Sequence, residues 1–428
     1  MTISRDLTNQ TNVNPSLRTM QITTMSMLIL AGLVNNLDRS ALSIANSMIS
    51  EELHISAAGM GVLMSAFSLV YAFSQLPIGI ILDRLGARLV LGWGLIVWSS
   101  AQVFCGLANS FSHLFIGRAL LGAGESPHYP ASAKAVSEWF SAEKRGGPTS
   151  LFLIAGTIAP ALAPPLLTFL MLSLGWRWMF MVLGGIGIAL GIAWLTFYRN
   201  REDFDSKLGS LHGDAVSLHS KLSLREWGGL FRQRNTWAMV FGSAGVIYMI
   251  WLYMSWLPAY LQHERHVSLA LTGWLAAIPY ALGTLGQLSC GTLVDWLVRR
   301  GFSISASRKL PICAGLIGAG VATLFAAYLP TTTGALIAIS VSMFCIYFAN
   351  VGTWALVGVM VDTRLVATMG SLLTFGGYLG GSAAPIITGI LVDQTGSFAF
   401  ALSISAVLAF AAALIYLFGI KLDGSSAK

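Results

Sequence analysis

Runs of roughly twenty apolar residues recur along this chain from residue 21 to residue 420, each long enough to cross a bilayer as a helix. Nothing else in the sequence constrains the fold as tightly. Lipid gives the backbone no hydrogen bonds, so a spanning segment must satisfy its own peptide groups as a helix or join a closed barrel. The alternation of a membrane barrel strand is missing, which leaves helices. Charged residues are 10% of the total, against about 25% in soluble domains. The runs fall at 21–47, 58–82, 89–108, 112–140, 147–172, 177–198, 236–261, 270–298, 309–328, 334–360, 367–391 and 398–420. The expected fold is an all-α membrane protein of twelve transmembrane helices.

One long polar stretch, YRNREDFDSKLGSLHGDAVSLHSKLSLREWGGLFRQRN, separates the sixth run from the seventh. It divides the chain into an N-terminal six-helix bundle at 21–199, a central loop at 200–235 and a C-terminal six-helix bundle at 236–421. Residues 1–20 are polar and expected to be disordered, and 422–428 form a short tail. No cleavable signal peptide is expected. The first apolar run is long enough to span and is not followed by a convincing cleavage site.

With the N-terminus inside, the cytoplasmic connections hold Arg84, Arg88, Lys144, Arg145, the basic central loop, Arg299, Arg300, Arg308, Lys309 and Arg364. The other face carries little beyond Arg177 and Arg265. That asymmetry predicts both termini in the cytoplasm and an inner-membrane location. It also accounts for the net charge of +7 without nucleic acid. Cys105, Cys290, Cys313 and Cys345 lie in apolar runs with no paired spacing, so neither a disulfide framework nor a metal site is expected.

An internal repeat supports the division. GIILDRLGAR (Gly79–Arg88) closes the second run and GTLVDWLVRRG (Gly291–Gly301) the eighth. Both place Asp four residues after Gly at a helix end. A further echo, GILVDQTG (Gly389–Gly396), closes the eleventh run on the opposite side. Gly79, Asp83, Arg84, Gly86 and Arg88 resemble the signature loop of the major facilitator superfamily, with a degenerate copy at Gly291 and Asp295. The resemblance covers nearly the whole chain and implies two pseudo-symmetric six-helix bundles rocking around a central cavity. In physical terms, Gly79 allows close helix approach, and Asp83 suits the N-terminus of a neighbouring helix.

Few ionisable residues lie well inside the runs: Asp38, Arg39, Arg118, Glu125 and, less deeply, His128 and Lys134. A charge at mid-membrane costs about 2.5–3.5 kcal/mol by insertion scales, so such residues tend to face a wet cavity and serve function. Arg118 and Glu125 are seven residues apart, roughly 10 Å along a helix on nearly one face. A substrate, water or another helix must come between them. Asp38 shares a face with Asn35. Burial favours a protonated carboxyl and a nearby arginine opposes it. Asp38 and Glu125 therefore suit proton loading and release. Arg39 and Arg118 suit bidentate recognition of a carboxylate. Lys134, opposite Glu125 by helical angle, fits snorkelling or a structural pair. His128 fits a hydrogen-bonded helix histidine better than a proton relay.

GRALLGAGESPHYPASAKAVSEWF (Gly117–Phe140) followed by EKRG, with VNNLDRSALSIA (Val34–Ala45), YAFSQLPIGIILDRLGAR (Tyr71–Arg88) and LGWRWMF (Leu174–Phe180), resembles the anion:cation symporter family within that superfamily. The resemblance implies that Asp38 and Glu125 couple protons, that Arg39 and Tyr71 contact the substrate anion, and that Arg118 balances the acids. Gln75 lies one turn from Tyr71. In the C-terminal half, Thr353 and Trp354 look like a substrate-facing pair, and Thr374 and Tyr378 stand where relatives often have asparagines. Leu153, Ile154 and Thr157, and Asn36 in place of a frequent Tyr, also depart from the pattern. These departures predict a carboxylate with fewer hydroxyls than a sugar acid, such as an aromatic or small branched acid.

The expected function is proton-coupled uptake of an organic anion by alternating access, by a monomer in the bilayer, with no cofactor. Antiport or uniport of an organic anion by the same fold remains an alternative. A membrane enzyme would need a nucleophile–base set or metal ligands, and the seven histidines show no ligand spacing such as HExxH. A receptor on this fold is expected to lose the proton acids. An organophosphate antiporter is expected to carry an Arg in the seventh run, where there is none.

Overall fold

The computed structural model describes residues 15–140, 146–153, 155–201, 229–361 and 366–421. Among them there is no strand. The helices are α1 (Pro15–Ile44), α2 (Asn46–Leu53), α3 (Ala57–Gly106), α4 (Phe111–Glu125), α5 (His128–Trp139), α6 (Gly146–Leu153), α7 (Ala155–Leu174) and α8 (Trp176–Phe197) in the first half. The second half holds α9 (Arg234–His263), α10 (Leu269–Arg299), α11 (Ile304–Tyr328), α12 (Thr332–Met360), α13 (Val366–Thr395) and α14 (Ala399–Leu414), continued by a π-helical turn, Ile415–Gly419. Ten helices are long and apolar enough to cross a membrane once α3 is divided at its break. The paired pieces α4–α5 and α6–α7 supply the fourth and fifth columns, giving the twelve expected.

Local sequence sets the ends. Ser56, Ser110, Ser268, Ser303 and Thr331 each accept a backbone N–H of the helix they precede, satisfying one of the donors that a helix start leaves open. The break inside α3 falls at Gly86, with φ 75° and ψ 167°, a conformation essentially reserved for glycine. It lets one continuous helical stretch serve as two spans. Pro127 follows the end of α4, and Gln75 of α3 donates to the Ser126 carbonyl at 3.0 Å. Glu125 is thereby fixed at a helix end in mid-column.

The buried apolar side chains of both halves form one continuous cluster, and the main helix pairs joining the halves are α3 with α13, α7 with α10, and α1 with α9. The α3–α13 pair diverges along its length. A Cβ on Gly61 would stand 2.3 Å from the Pro385 carbonyl oxygen, and one on Gly389 would stand 2.3 Å from that of Ala57. Gly79 is eighteen residues beyond Gly61, five turns later on the same face, and a Cβ there would meet nothing within 4 Å among the described residues. Leu76 and Ile80 beside it are more than 60% exposed.

The molecule is therefore closed at the end bearing Ala57 and Asp393 and open at the end bearing Gly79. Several bonds seal the closed end. Ser43 and Ser65 hydroxyls donate to the Ser255 and Ser382 carbonyls at 2.8 and 2.6 Å. Within the second half, Trp256 donates to the Pro385 carbonyl at 3.2 Å and braces α9 against α13 there. Asp393 accepts the N–H groups of Ala57 and Ala58 at 2.9 and 2.8 Å. The Gly-then-Asp device expected at Gly79 and Asp83 is thus made here by its echo, Gly389 and Asp393.

Candidate functional site

Four ionisable side chains meet near the middle of the first half. Asp38 and Glu125 are fully buried and Arg118 is 2% exposed. The Arg39 side chain is 7% exposed. α1 carries Asp38 and Arg39, and α4 carries Arg118 and Glu125. The helix that comes between Arg118 and Glu125 is α1. Arg39 donates through Nε to Glu125 Oε2 at 2.7 Å. Its Nη1 donates to the Tyr378 hydroxyl of the other half at 3.3 Å. Its Nη2 is buried with no hydrogen-bond partner among the described residues. Breaking one partner from a buried ion pair costs about 3–5 kcal/mol, because the other charge is left uncompensated.

Aromatic rings hold the guanidinium in place. Its Cζ lies 5.1 Å from the Phe67 ring centre and 5.0 Å from that of Tyr71, within cation–π range. Tyr71 and Tyr378 rings are 4.7 Å apart, and Trp251 lies 6.0 Å from Tyr378 and 5.9 Å from Phe67. These rings come from α3, α9 and α13, so they floor the site on its closed side and bridge the halves. Arg118 also lies within cation–π range of Phe67, its Cζ 5.0 Å from that ring centre, in the electrostatic neighbourhood of Asp38, Glu125 and Cys105.

The other expected site residues are distributed as follows. Thr353 is buried and its hydroxyl donates to the Asn350 carbonyl of its own helix at 2.7 Å. Trp354 is 50% exposed and lies against Gly370, apart from the Arg39 cluster. Thr374 donates to the Gly370 carbonyl. Asn36 donates to the Gly32 carbonyl at 2.8 Å. His128 is buried beside Trp98 and Tyr129. Lys134 donates to the Leu82 carbonyl at 2.9 Å.

In the signature loop, Arg88 donates twice to the Leu195 carbonyl, at 3.1 and 2.6 Å, which caps the end of α8. Arg84 is exposed, and so is Asp295, which has no hydrogen bond among the described residues. The side chains of Asp83, Leu153, Ile154 and Thr157, and residues Lys144, Arg145 and Arg364, lie outside what is described.

Two tyrosines passed over in the sequence reading stand at the site. Tyr129 lies in the electrostatic neighbourhood of Arg39, Glu125 and Tyr378. Tyr347 on α12 lies near Tyr129 from the opposite half. Tyr129 is four residues past Glu125, one turn along the same polar face, which was the available signal. Tyr129 and Tyr378 thus stand beside a single forked cation as neutral donors and acceptors, with Tyr347 next to Tyr129. Such a set can hold one carboxylate and several hydroxyls. Among the described residues, no group of three His, Cys, Asp or Glu could hold a metal ion.

The family model described as Major Facilitator Superfamily matches residues 28–385. A probable L-galactonate transporter of Escherichia coli strain K12 is 41% identical, over 95% of this chain and 90% of its own. A D-galactonate transporter of another Escherichia coli strain is 30% identical, over 94% and 93%. Among solved structures, a bacterial homologue of the human lysosomal transporter Spinster, in an inward-facing and occupied conformation, superposes with a TM-score of 0.81 at 18% identity. That match covers 95% of this chain and 98% of the other.

Proposed function

This chain belongs to the Major Facilitator Superfamily, and from that footing we propose that it imports the monoanion of a sugar acid together with protons. It is a transporter rather than an enzyme, as its whole-length relatives are. The observation that carries the finer reading is the state of Arg39. One of its nitrogens is held by Glu125, another by Tyr378 across the interface, and a third has no hydrogen-bond partner among the described residues.

A buried guanidinium needs a carboxylate, and a buried carboxylate needs a cation or a proton. Arg39 can leave Glu125 for a substrate carboxylate when a proton neutralises Glu125 in exchange. Moving only one of the two would strand a charge at about 3–5 kcal/mol. Proton and anion then favour each other's binding by the same factor, which is the thermodynamic content of symport. Tyr378 also ties Arg39 to the second half, so the carboxylate's arrival is felt at the surface where the halves rock.

In this reading the basic helix ends favour a cytoplasmic position for the open end and both termini, which makes this the inward-facing conformation. Arg39 supplies one forked cation with Nη2 unpartnered among the described residues, while Arg118 is buried beside the two acids, which suits one carboxylate rather than two. The hydroxyls of Tyr129, Tyr347 and Tyr378 suit a polyol chain. Both relatives described above are named for galactonates. The expectation of a less polar acid leaned on Leu153, Ile154 and Thr157, whose side chains are outside the description, and on Asn36, Thr374 and Tyr378, of which Asn36 and Thr374 bond carbonyls of their own helices while the Tyr378 hydroxyl meets Arg39.

Thermal stabilisation of the purified protein by L-galactonate, galactarate and benzoate at pH 5.5 and 7.5 tests the reading. A ligand at a hundred times its Kd stabilises by about 2.7 kcal/mol. L-galactonate should stabilise most, and more strongly at pH 5.5. Stabilisation by benzoate alone, or none that varies with pH, would refute it.

A further inference from the structure

Beside Arg39 lies a second set of buried polar groups that make no well-formed hydrogen bond among the described residues. Asn35 on α1, Trp98 and Gln102 on α3, and Arg118 on α4 surround or adjoin Asp38, and all are at most 2% exposed. Both amide atoms of Asn35 and of Gln102 lack a partner among the described residues. So do both carboxylate oxygens of Asp38, the Trp98 indole nitrogen, Nε and Nη1 of Arg118, and Oε1 of Glu125. Trp98, Arg118 and Glu125 are electrostatic neighbours of Asp38, and Asn35 is a neighbour of Glu125. Gln102 lies one turn from Trp98 on the same helix face.

Leaving one buried polar atom unbonded costs about 1–3 kcal/mol. Ten of them in one place would rival the whole stability of a domain, about 5–15 kcal/mol. The working protein must therefore supply partners. A metal cation does not suit the set, which mixes donors with acceptors and includes the Arg118 charge. Water both donates and accepts, and buried waters make two to four such bonds to otherwise unsatisfied groups.

We propose that Asn35 and Gln102 hold water that relays protons between Asp38 and Glu125, so that Gln102 positions the coupling machinery without touching substrate. The inference rests on the proton-coupled reading above. The step is a simple transfer. The Asp38 carboxyl gives its proton to water, which passes one of its own to Glu125 Oε1. Asp38 ends as the carboxylate, Glu125 as the neutral acid, and the water is unchanged. Oε1 is the oxygen not engaged by Arg39, so the proton arrives on one side of Glu125 as the arginine leaves from the other.

The groups around Asp38 are Arg118 and Glu125 from α4, Trp98 and Cys105 from α3, and Arg39 beside it on α1. His128 approaches from α5 against Trp98. α6 and α7 carry no ionisable side chain. α8 carries only Arg177, which is tied to Glu52 at the closed end.

Proteoliposomes holding the full chain and a trapped pH dye test the relay with L-galactonate as probe. Two rates are read: substrate exchange at equal pH, and proton entry driven by substrate. Gln102→Leu keeps the bulk and removes the amide. Exchange should stay within about twofold of the parent, while proton entry falls by about tenfold or more, as for loss of a positioned proton carrier. Gln102→Asn should restore coupled proton entry. Asn35→Leu should repeat the split, and it serves if Gln102→Leu does not fold. Parallel loss of both rates, or loss of neither, overturns the relay while leaving a coupled parent intact. A parent that admits no protons with substrate overturns the symport reading and the relay together.

Discussion

Replacing Asp393 by Ala removes the carboxylate that holds α3 against α13 at the closed end, and the effect on the conformational balance can be worked out. The carboxylate accepts two backbone N–H groups of the α3 N-terminus, at 2.9 and 2.8 Å. Loss of an acidic cap at a helix start costs about 0.5–2 kcal/mol. Hydrogen bonds to charged groups reach about 1.5–3 kcal/mol when shielded from water. Asp393 is exposed, so solvent competes and the lower range applies, about 1–1.5 kcal/mol.

The bonds join helices from opposite halves, so their loss falls on the closed-end state alone. Since 1.4 kcal/mol is tenfold in an equilibrium constant, the ratio of molecules open at the Asp393 end to those open at the Gly79 end should rise roughly fivefold to tenfold. The seals at Ser43 and Ser65 remain, which keeps the shift from becoming complete. Spin labels at Glu51→Cys and Gln394→Cys, in a Cys345→Ser background, report the separation by double electron–electron resonance. Both label sites are exposed and lie on opposite halves. The Ala variant should gain a longer-distance population, and Asp393→Asn an intermediate one. A distance distribution that superimposes on the parent's would refute the reasoning.

Gly86→Ala should destabilise the first half by about 1–3 kcal/mol, because the positive φ strains any side chain. The new methyl would also stand 2.8 Å from the Asn200 amide nitrogen; denaturation in detergent measures it. Arg39→Lys should weaken L-galactonate binding by about tenfold or more, since an ammonium lacks the fork that spans Glu125, Tyr378 and a carboxylate; isothermal titration checks this. Glu52 sits at the closed end, where Trp176 donates to it at 2.6 Å and Arg177 pairs with it. The Trp176 bond, then Arg177, hold its carboxyl below the ordinary range against a smaller opposing effect of burial. That stability is present above the ordinary carboxylate range and is lost as pH falls through the depressed value. Its side chain is 47% exposed, so the contribution is at most about 1 kcal/mol. Parent and Glu52→Gln should melt apart at pH 7 and together near pH 3 by differential scanning fluorimetry.

The twelve spans were legible because apolar length is set by the bilayer, and the Gly86 break because a Gly amid charges marks a helix end. The four central charges were legible from their cost alone. Their pairing was not. Arg118 and Glu125 share a helix face, yet the acid's partner is Arg39, because inter-helix rotation decides which side chains meet. Tyr378 was visible as a departure from a pattern, but its bond to Arg39 depends on how the two halves meet across 339 residues of chain. Trp354 shows the reverse. Its neighbour Thr353 is buried, while one step of 100° along the helix turns the indole outward against Gly370. The Gly79 motif was legible as a device for joining helices, but not which end of the molecule would be joined. Both ends carry that grammar, and only the Gly389–Asp393 end is engaged here.

The exchange of partners at Arg39 is tested most directly with Glu125→Gln in proteoliposomes. Glutamine keeps an acceptor for Arg39 and cannot take up a proton. Exchange of L-galactonate at equal pH should persist, while accumulation driven by an inward proton gradient should vanish. A pH gradient that accelerates uptake as much in the variant as in the parent would contradict the account.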